Sequence, residues 1–125
     1  MKENDIAKKV LDICFEIHKI LGPGLFESVY EEILTFELKN NGLFVERQKS
    51  LPVYWKGVKI NSAFKADLIV EKKVIIELKS VEMLIPAHYK QLLTYLKITD
   101  LKLGLLINFN ERLLKTGIKR IVNNL

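Results

Sequence analysis

The sequence predicts a mixed α/β (α+β) fold: two N-terminal helices, a three-stranded antiparallel meander, a crossover helix and a parallel fourth strand. Three observations predict it. Apolar residues recur on a helical period over the first forty positions, whereas Val58 to Val70 and Val74 to Lys79 are β-rich runs separated by the short polar turn Glu71-Lys72-Lys73. Pro86 then opens a further helical stretch that leads into the apolar run Leu101 to Phe109.

The first helix is expected over Asn4 to Leu21. Ile6, Val10, Ile13, Cys14, Ile17 and Leu21 form its stripe, and Asn4 or Asp5 is placed to cap it. Gly22-Pro23-Gly24 ends it, and a second helix runs to about Asn40 with Phe26, Val29, Ile33, Phe36 and Leu38 as the expected buried face. Asn41-Gly42 stops that helix. Phe44 to Trp55 reads as the first strand, Lys56-Gly57 as a turn, and Val58 to Val70 as the second strand. Pro52 marks the first strand as an edge or an irregular one. The third helix is expected from Pro86 to about Lys97, and its crossover makes the fourth strand parallel to the third in a mixed sheet. Ile118 to Val122 adds a short final strand.

A chain of 125 residues is read as one domain, 1–125, and its 49% hydrophobic and 28% charged residues are ordinary for a globular protein. No apolar run has the length of a membrane span, and no signal peptide is read at the N-terminus, so a cytoplasmic location without membrane attachment is expected. The lone Cys14 has no disulfide partner and sits on a helix stripe, where packing is its expected role. The net charge of +5 favours polyanionic partners without naming one. Phosphate-cradling glycine loops and zinc-type Cys/His spacings are absent.

The chemistry concentrates in the second hairpin. With its centre at Lys72, residues whose numbers sum to about 144 oppose each other, because side chains alternate with a period of two. Phe64, Ala66, Leu68, Val70, Val74, Ile76 and Leu78 then share an apolar face. Lys65, Asp67, Ile69, Ile75, Glu77 and Lys79 fall on the other, with Asp67 across from Glu77. Opposed carboxylates have Cβ atoms about 4.5–5.5 Å apart and repel. A hard divalent cation, Mg2+ or Mn2+, resolves that repulsion, and Lys79 on the same face can orient an attacking water or neutralise a phosphate oxygen. The plain alternative is a solvated face on which Asp67 pairs with Lys65 or Lys79. Against it, Glu77 interrupts a strand apolar enough to be buried on both sides, where a charge needs a partner.

This element order, with Asp67 and Glu77-Leu78-Lys79 on the second and third strands, resembles the PD-(D/E)xK nuclease superfamily and implies a restriction-endonuclease-like core. Gly24-Leu25-Phe26-Glu27-Ser28-Val29-Tyr30, Leu21-Gly22-Pro23-Gly24, Ala66-Asp67-Leu68 and Gln91-Leu92-Leu93-Thr94-Tyr95 further resemble the GxxExxY family over nearly the entire chain. The resemblance implies Asp67 and Glu77 as metal-binding acids, the Leu78 carbonyl as a further ligand, and Lys79 as the catalytic lysine. It also implies Glu27 as a catalytic acid contributed from the preceding helix, binding the metal directly or through water, Gln91 and Tyr95 as a Q-x-x-x-Y element, and Gln91, Tyr95 and Tyr30 as substrate-binding residues. Ala66 stands where the superfamily's name has proline.

Each added residue also has an ordinary reading. Glu27 in a first turn stabilises the helix dipole. Tyr30, one turn later, is either core with its hydroxyl at the edge or a group that positions the acid. Gln91 and Tyr95, with His88, share a helix face that is either solvated or turned toward the acids, where Gln91 holds Lys79 or a phosphate and Tyr95 stacks on a base or ribose. His18 reads as a packing histidine. The leading expectation is a Mg2+- or Mn2+-dependent phosphodiester hydrolase acting on DNA or RNA, with nucleic acid as partner and a homodimer as an analogy-based expectation. A non-catalytic nucleic-acid- or protein-binding module on the same scaffold, or a hydrolase of a small phosphoester, stays open.

Overall fold

A computed structural model describes the backbone of residues 1–125 and all side chains except those of Ser62 and Ala63. The elements are α1 (Glu3–Leu21), α2 (Glu27–Asn40), β1 (Val45–Trp55), β2 (Val58–Val70), β3 (Val74–Lys79), α3 (Pro86–Thr99), β4 (Leu103–Asn108), a short 3-10 turn (Leu114–Gly117) and β5 (Ile118–Val122). The five strands form one sheet in the order β1-β2-β3-β4-β5. All neighbours are antiparallel except β3 and β4, the pair joined through α3. This is the mixed sheet expected of the crossover.

Apolar side chains bury both faces of the sheet. Leu68, Val70, Val74, Ile76, Leu78, Leu103, Leu105 and Ile107 meet α1 and α2, whereas Ile69, Ile75 and Leu106 meet Leu92, Tyr95 and Leu96 of α3. Every residue of β3 before Lys79 is therefore buried, as a central strand covered on two sides requires. Gly104 explains how closely α3 approaches: a Cβ there would lie 2.9 Å from the Leu92 side chain. Cys14 is fully buried, and burial pushes its thiol pKa well up, so it packs as a small hydrophobe.

Four sequence expectations need correction. Leu21, expected on the α1 stripe, is exposed at the helix end, where the buried face is completed by Ala7 instead. The α1 cap is not Asn4 or Asp5: the helix begins at Glu3 after Lys2, with no side-chain cap, and Glu3 and Asp5 in its first turn complement the dipole. On α2 the buried stripe is Tyr30, Glu31, Leu34, Thr35 and Leu38, while Phe26 and Phe36 are 82% and 60% exposed and Val29 is also exposed. The helix is turned so that Tyr30, Leu34 and Leu38 fill the core, which also brings Glu31 to β1. Phe64 and Ala66 also leave the face of Leu68 and join the α3 cluster. The change of side falls at Asp67, opposite Gln48, whose φ of 50° puts it in the left-handed region.

Pro52 does mark an irregular edge strand, since the β1–β2 register shifts between Leu51 and Val53. The register of the second hairpin is as expected: Leu68↔Ile76, Ile69↔Ile75 and Val70↔Val74.

Candidate active site

The β2–β3 ladder stops at Leu68↔Ile76, one step before Asp67 and Glu77 would pair. There the Asp67 carboxylate replaces a sheet carbonyl: its Oδ2 accepts the Leu78 N–H at 2.8 Å. One strand residue directs its N–H and C=O to the same edge, so the Leu78 carbonyl also projects toward Asp67, whereas Lys79 O turns to β4 and accepts from Phe109 N at 2.9 Å. The backbone alternation thus leaves one carbonyl at the acid pair.

Glu77 is 3% exposed, and among the described residues its Oε1 is the buried side-chain atom without a hydrogen-bond partner. Burial, then the charge of Asp67 and a shared-proton contact with it, push the Glu77 carboxyl up to about 9; Lys79 pulls the other way without reversing this. Lys79 is half-buried at the end of β3 and, among the described residues, enters no salt bridge. Neither Lys65 nor Lys79 pairs with Asp67, which removes the plain reading of the hairpin as a solvated, self-neutralising face.

Asp67 is oriented by residues that the sequence did not single out. Gln48 Nε2 donates to Asp67 Oδ1 at 3.3 Å and to Glu31 Oε1 at 2.7 Å, and Arg47 Nε donates to Glu31 Oε2 at 2.6 Å. Buried Glu31 on α2 is thereby fully engaged and anchors the strand that holds Gln48. Its only sequence signal was position: it lies one turn past Glu27. At the other end of the site, buried Asn108 opposite Lys79 staples the following loop, donating to Val81 O at 2.9 Å and accepting from Val81 N at 3.1 Å. A buried Asn at a strand end carries no local signature.

The remaining candidates divide. Tyr95 is buried on α3 against Phe64, with ring centroids 5.4 Å apart, and its hydroxyl pKa is raised by burial and then by Glu77 and Asp67, so it overlooks the acids. Gln91 is exposed one turn earlier on the same helix. Glu27 is half-buried at the first position of α2 and lines a groove of about 450 Å3 with Leu25, Phe26, Ser28 and Ser80. It stands beside the end of β3 and not within the acid pair: among the described residues no three His, Cys, Asp or Glu side chains gather closely enough to form a metal cluster. His88 links the two regions. Its Nδ1 accepts from Ile85 N at 3.1 Å, and its pKa is lowered by burial and by Lys79, with Glu27 opposing.

Tyr30, expected to join the Q-x-x-x-Y residues Gln91 and Tyr95 in binding substrate, takes the core reading instead. It is fully buried, stacks on Phe109 at 4.3 Å, donates to Gly22 O at 2.6 Å and accepts from Leu25 N at 3.2 Å. With its ring enclosed and its hydroxyl committed it cannot touch substrate; it braces the Gly22–Leu25 loop that delivers Glu27. His18 is the satisfied packing histidine expected, with Nε2 2.7 Å from Glu111 O.

The family model for the PD-(D/E)XK nuclease superfamily matches residues 4–121. The chain belongs to the PD-(D/E)XK nuclease superfamily. No curated protein and no solved structure matches it. The domain is therefore nuclease-like, and nucleases of this superfamily generally use divalent cations. No helix is long and apolar enough to cross a membrane.

Proposed function

We propose that this superfamily member is a divalent-cation-dependent nuclease that hydrolyses phosphodiester bonds in DNA or RNA, with Asp67, Glu77 and Lys79 as its working groups. The observation that carries this reading is the Glu77 carboxyl, buried beside a second carboxylate with one oxygen unpartnered. Such a group is costly unless a proton or a cation joins it. The donors present are all oxygen, which suits Mg2+ or Mn2+: Asp67, Glu77 and the Leu78 carbonyl would hold the ion. When bound, the ion supplies a Lewis acid and lowers the pKa of an attacking water.

The chain's own side chains do the rest. Lys79, free of an ion pair, orients the water or neutralises charge developing on the phosphate. Glu27, in the groove beside Ser80, would act on the ion directly or through water. Exposed Gln91 faces the nucleic acid from α3, while Tyr95, buried against Phe64, backs the site without stacking on a base. Gln48 fixes the orientation of Asp67 by donating to its Oδ1.

The test is incubation with single-stranded, duplex and branched DNA and with RNA, in Mg2+, Mn2+ or chelator. Cleavage should appear with metal, vanish with chelator, and be abolished in Lys79→Ala and Asp67→Ala. Binding without cleavage in either metal would instead favour a non-catalytic module. Inert nucleic acids with turnover of a small phosphoester would favour a different phosphate substrate.

A further inference from the structure

Beyond Leu51 and Phe64 the β1–β2 pair leaves the body of the sheet. β2 meets β3 only over Leu68–Val70, and β1 meets no strand but β2, so Val53–Trp55 and Val58–Ile60 form a free two-stranded arm. Its tip is the two-residue turn Lys56-Gly57, with φ of 48° and 81°, a geometry that fits the right-handed twist of a hairpin. From Asp67 back to Val58 the strand can extend roughly 30 Å. β2 therefore runs from the acid pair out to the arm, which projects past the end of β3.

An ordinary free arm would be short and polar to blunt its edges. This one carries Tyr54 and Trp55 at 64% and 66% exposure, with Val58 and Ile60 also exposed. Register places Trp55 across from Val58 and Tyr54 across from Lys59, so each face of the arm presents one aromatic ring. Lys56 Nζ lies 5.5 Å from the Trp55 ring centroid. No Asp or Glu occurs between Arg47 and Ala66, a stretch that holds Lys49, Lys56, Lys59 and Lys65. Among the described residues Lys56, Lys59 and Lys65 form no salt bridge. Exposed rings interleaved with unpaired cations suit a ligand having both flat apolar faces and a regular negative charge.

We infer that this arm is a binding site for single-stranded nucleic acid, with Trp55 as a stacking platform for a base and Lys56 and Lys59 as phosphate contacts. The inference rests on the nuclease reading for its purpose, since a strand held along the arm runs back to Asp67 and Glu77. Unpaired bases are required because only they offer a face to Trp55. A duplex would meet the lysines and leave the ring unstacked.

Trp55 is the only tryptophan of the chain, so selectively excited tryptophan emission reports on the arm alone. Titration with oligothymidylate of about 12 nucleotides, in chelator so that nothing is cleaved, should quench it saturably. Trp55→Ala, followed by anisotropy of a labelled strand, should weaken binding roughly 5- to 150-fold, the loss expected of one stacked base. Lys56→Ala with Lys59→Ala should lower the slope of log Kd against log salt by about 1.4. Circular dichroism checks that both variants fold. The inference is overturned if Trp55 is unquenched, if duplex binds more tightly than single strand, or if its emission follows protein concentration, which would mark a self-association surface. Binding in chelator without any cleavage in metal would leave the arm standing and sink the nuclease reading. Cleavage with unchanged KM in Trp55→Ala would do the reverse.

Discussion

The buried carboxyl of Glu77 makes stability depend on pH in a direction opposite to that of most salt-bridged acids. Unfolded, the group titrates near 4.5; folded, burial and Asp67 raise it to about 9. Between those values the native state holds a proton that the unfolded chain has released, so stability falls as pH rises, by about 1.4 kcal/mol per pH unit. The contribution is fully present below about 4.5 and lost above about 9. From pH 6 to 8 the loss is about 3 kcal/mol, a large share of the roughly 5–15 kcal/mol that holds a domain together.

Urea denaturation in chelator, followed by far-UV circular dichroism because Trp55 sits on the exposed arm, measures this slope. The difference between wild type and Glu77→Gln isolates the one group. Wild type should lose stability relative to the variant as pH rises. Manganese should abolish the loss, because a cation takes the place of the proton, and its apparent affinity should tighten about tenfold per pH unit until Glu77 is ionised. Parallel pH profiles for wild type and Glu77→Gln would refute the claim that this carboxyl is held protonated. A slope that manganese leaves untouched would refute the cation site.

Three further outcomes follow from the same geometry. Gln48→Ala frees Asp67 and leaves Glu31 with one donor fewer, so manganese affinity measured by calorimetry should drop about 10- to 100-fold while the fold persists. Tyr30→Phe strips the Gly22–Leu25 brace and should cost about 1–3 kcal/mol in a urea melt, with manganese binding at the acid pair unchanged. Gly104→Ala drives a methyl into Leu92 and should cost about 1–3 kcal/mol, read as a lowered melting temperature.

The parts of the site legible in the sequence were those written into one local pattern. The hairpin register follows from a three-residue turn and a period of two, and Glu77 announced itself as a single acid in a strand buried on both sides. What could not be read was set by contacts between distant elements. Phe26, Val29, Ile33 and Phe36 offered α2 an apolar stripe that competed with Tyr30 and Leu34, Leu38 serving either, and the stripe that packs also buries Glu31, a residue that patterning assigns to solvent. Glu31 can be buried only because Arg47 and Gln48 meet it from β1, and Gln48 can also meet Asp67 because its backbone enters the left-handed region. That conformation costs on the order of 1 kcal/mol or more. It coincides with the point where the β2 side chains change face, carrying Phe64 and Ala66 to the α3 side and freeing Asp67 from the ladder to accept the Leu78 N–H. The strain at Gln48, the switch of faces and the orientation of Asp67 are thus one adjustment, and its effect is to leave the Glu77 oxygen as the group still unsatisfied.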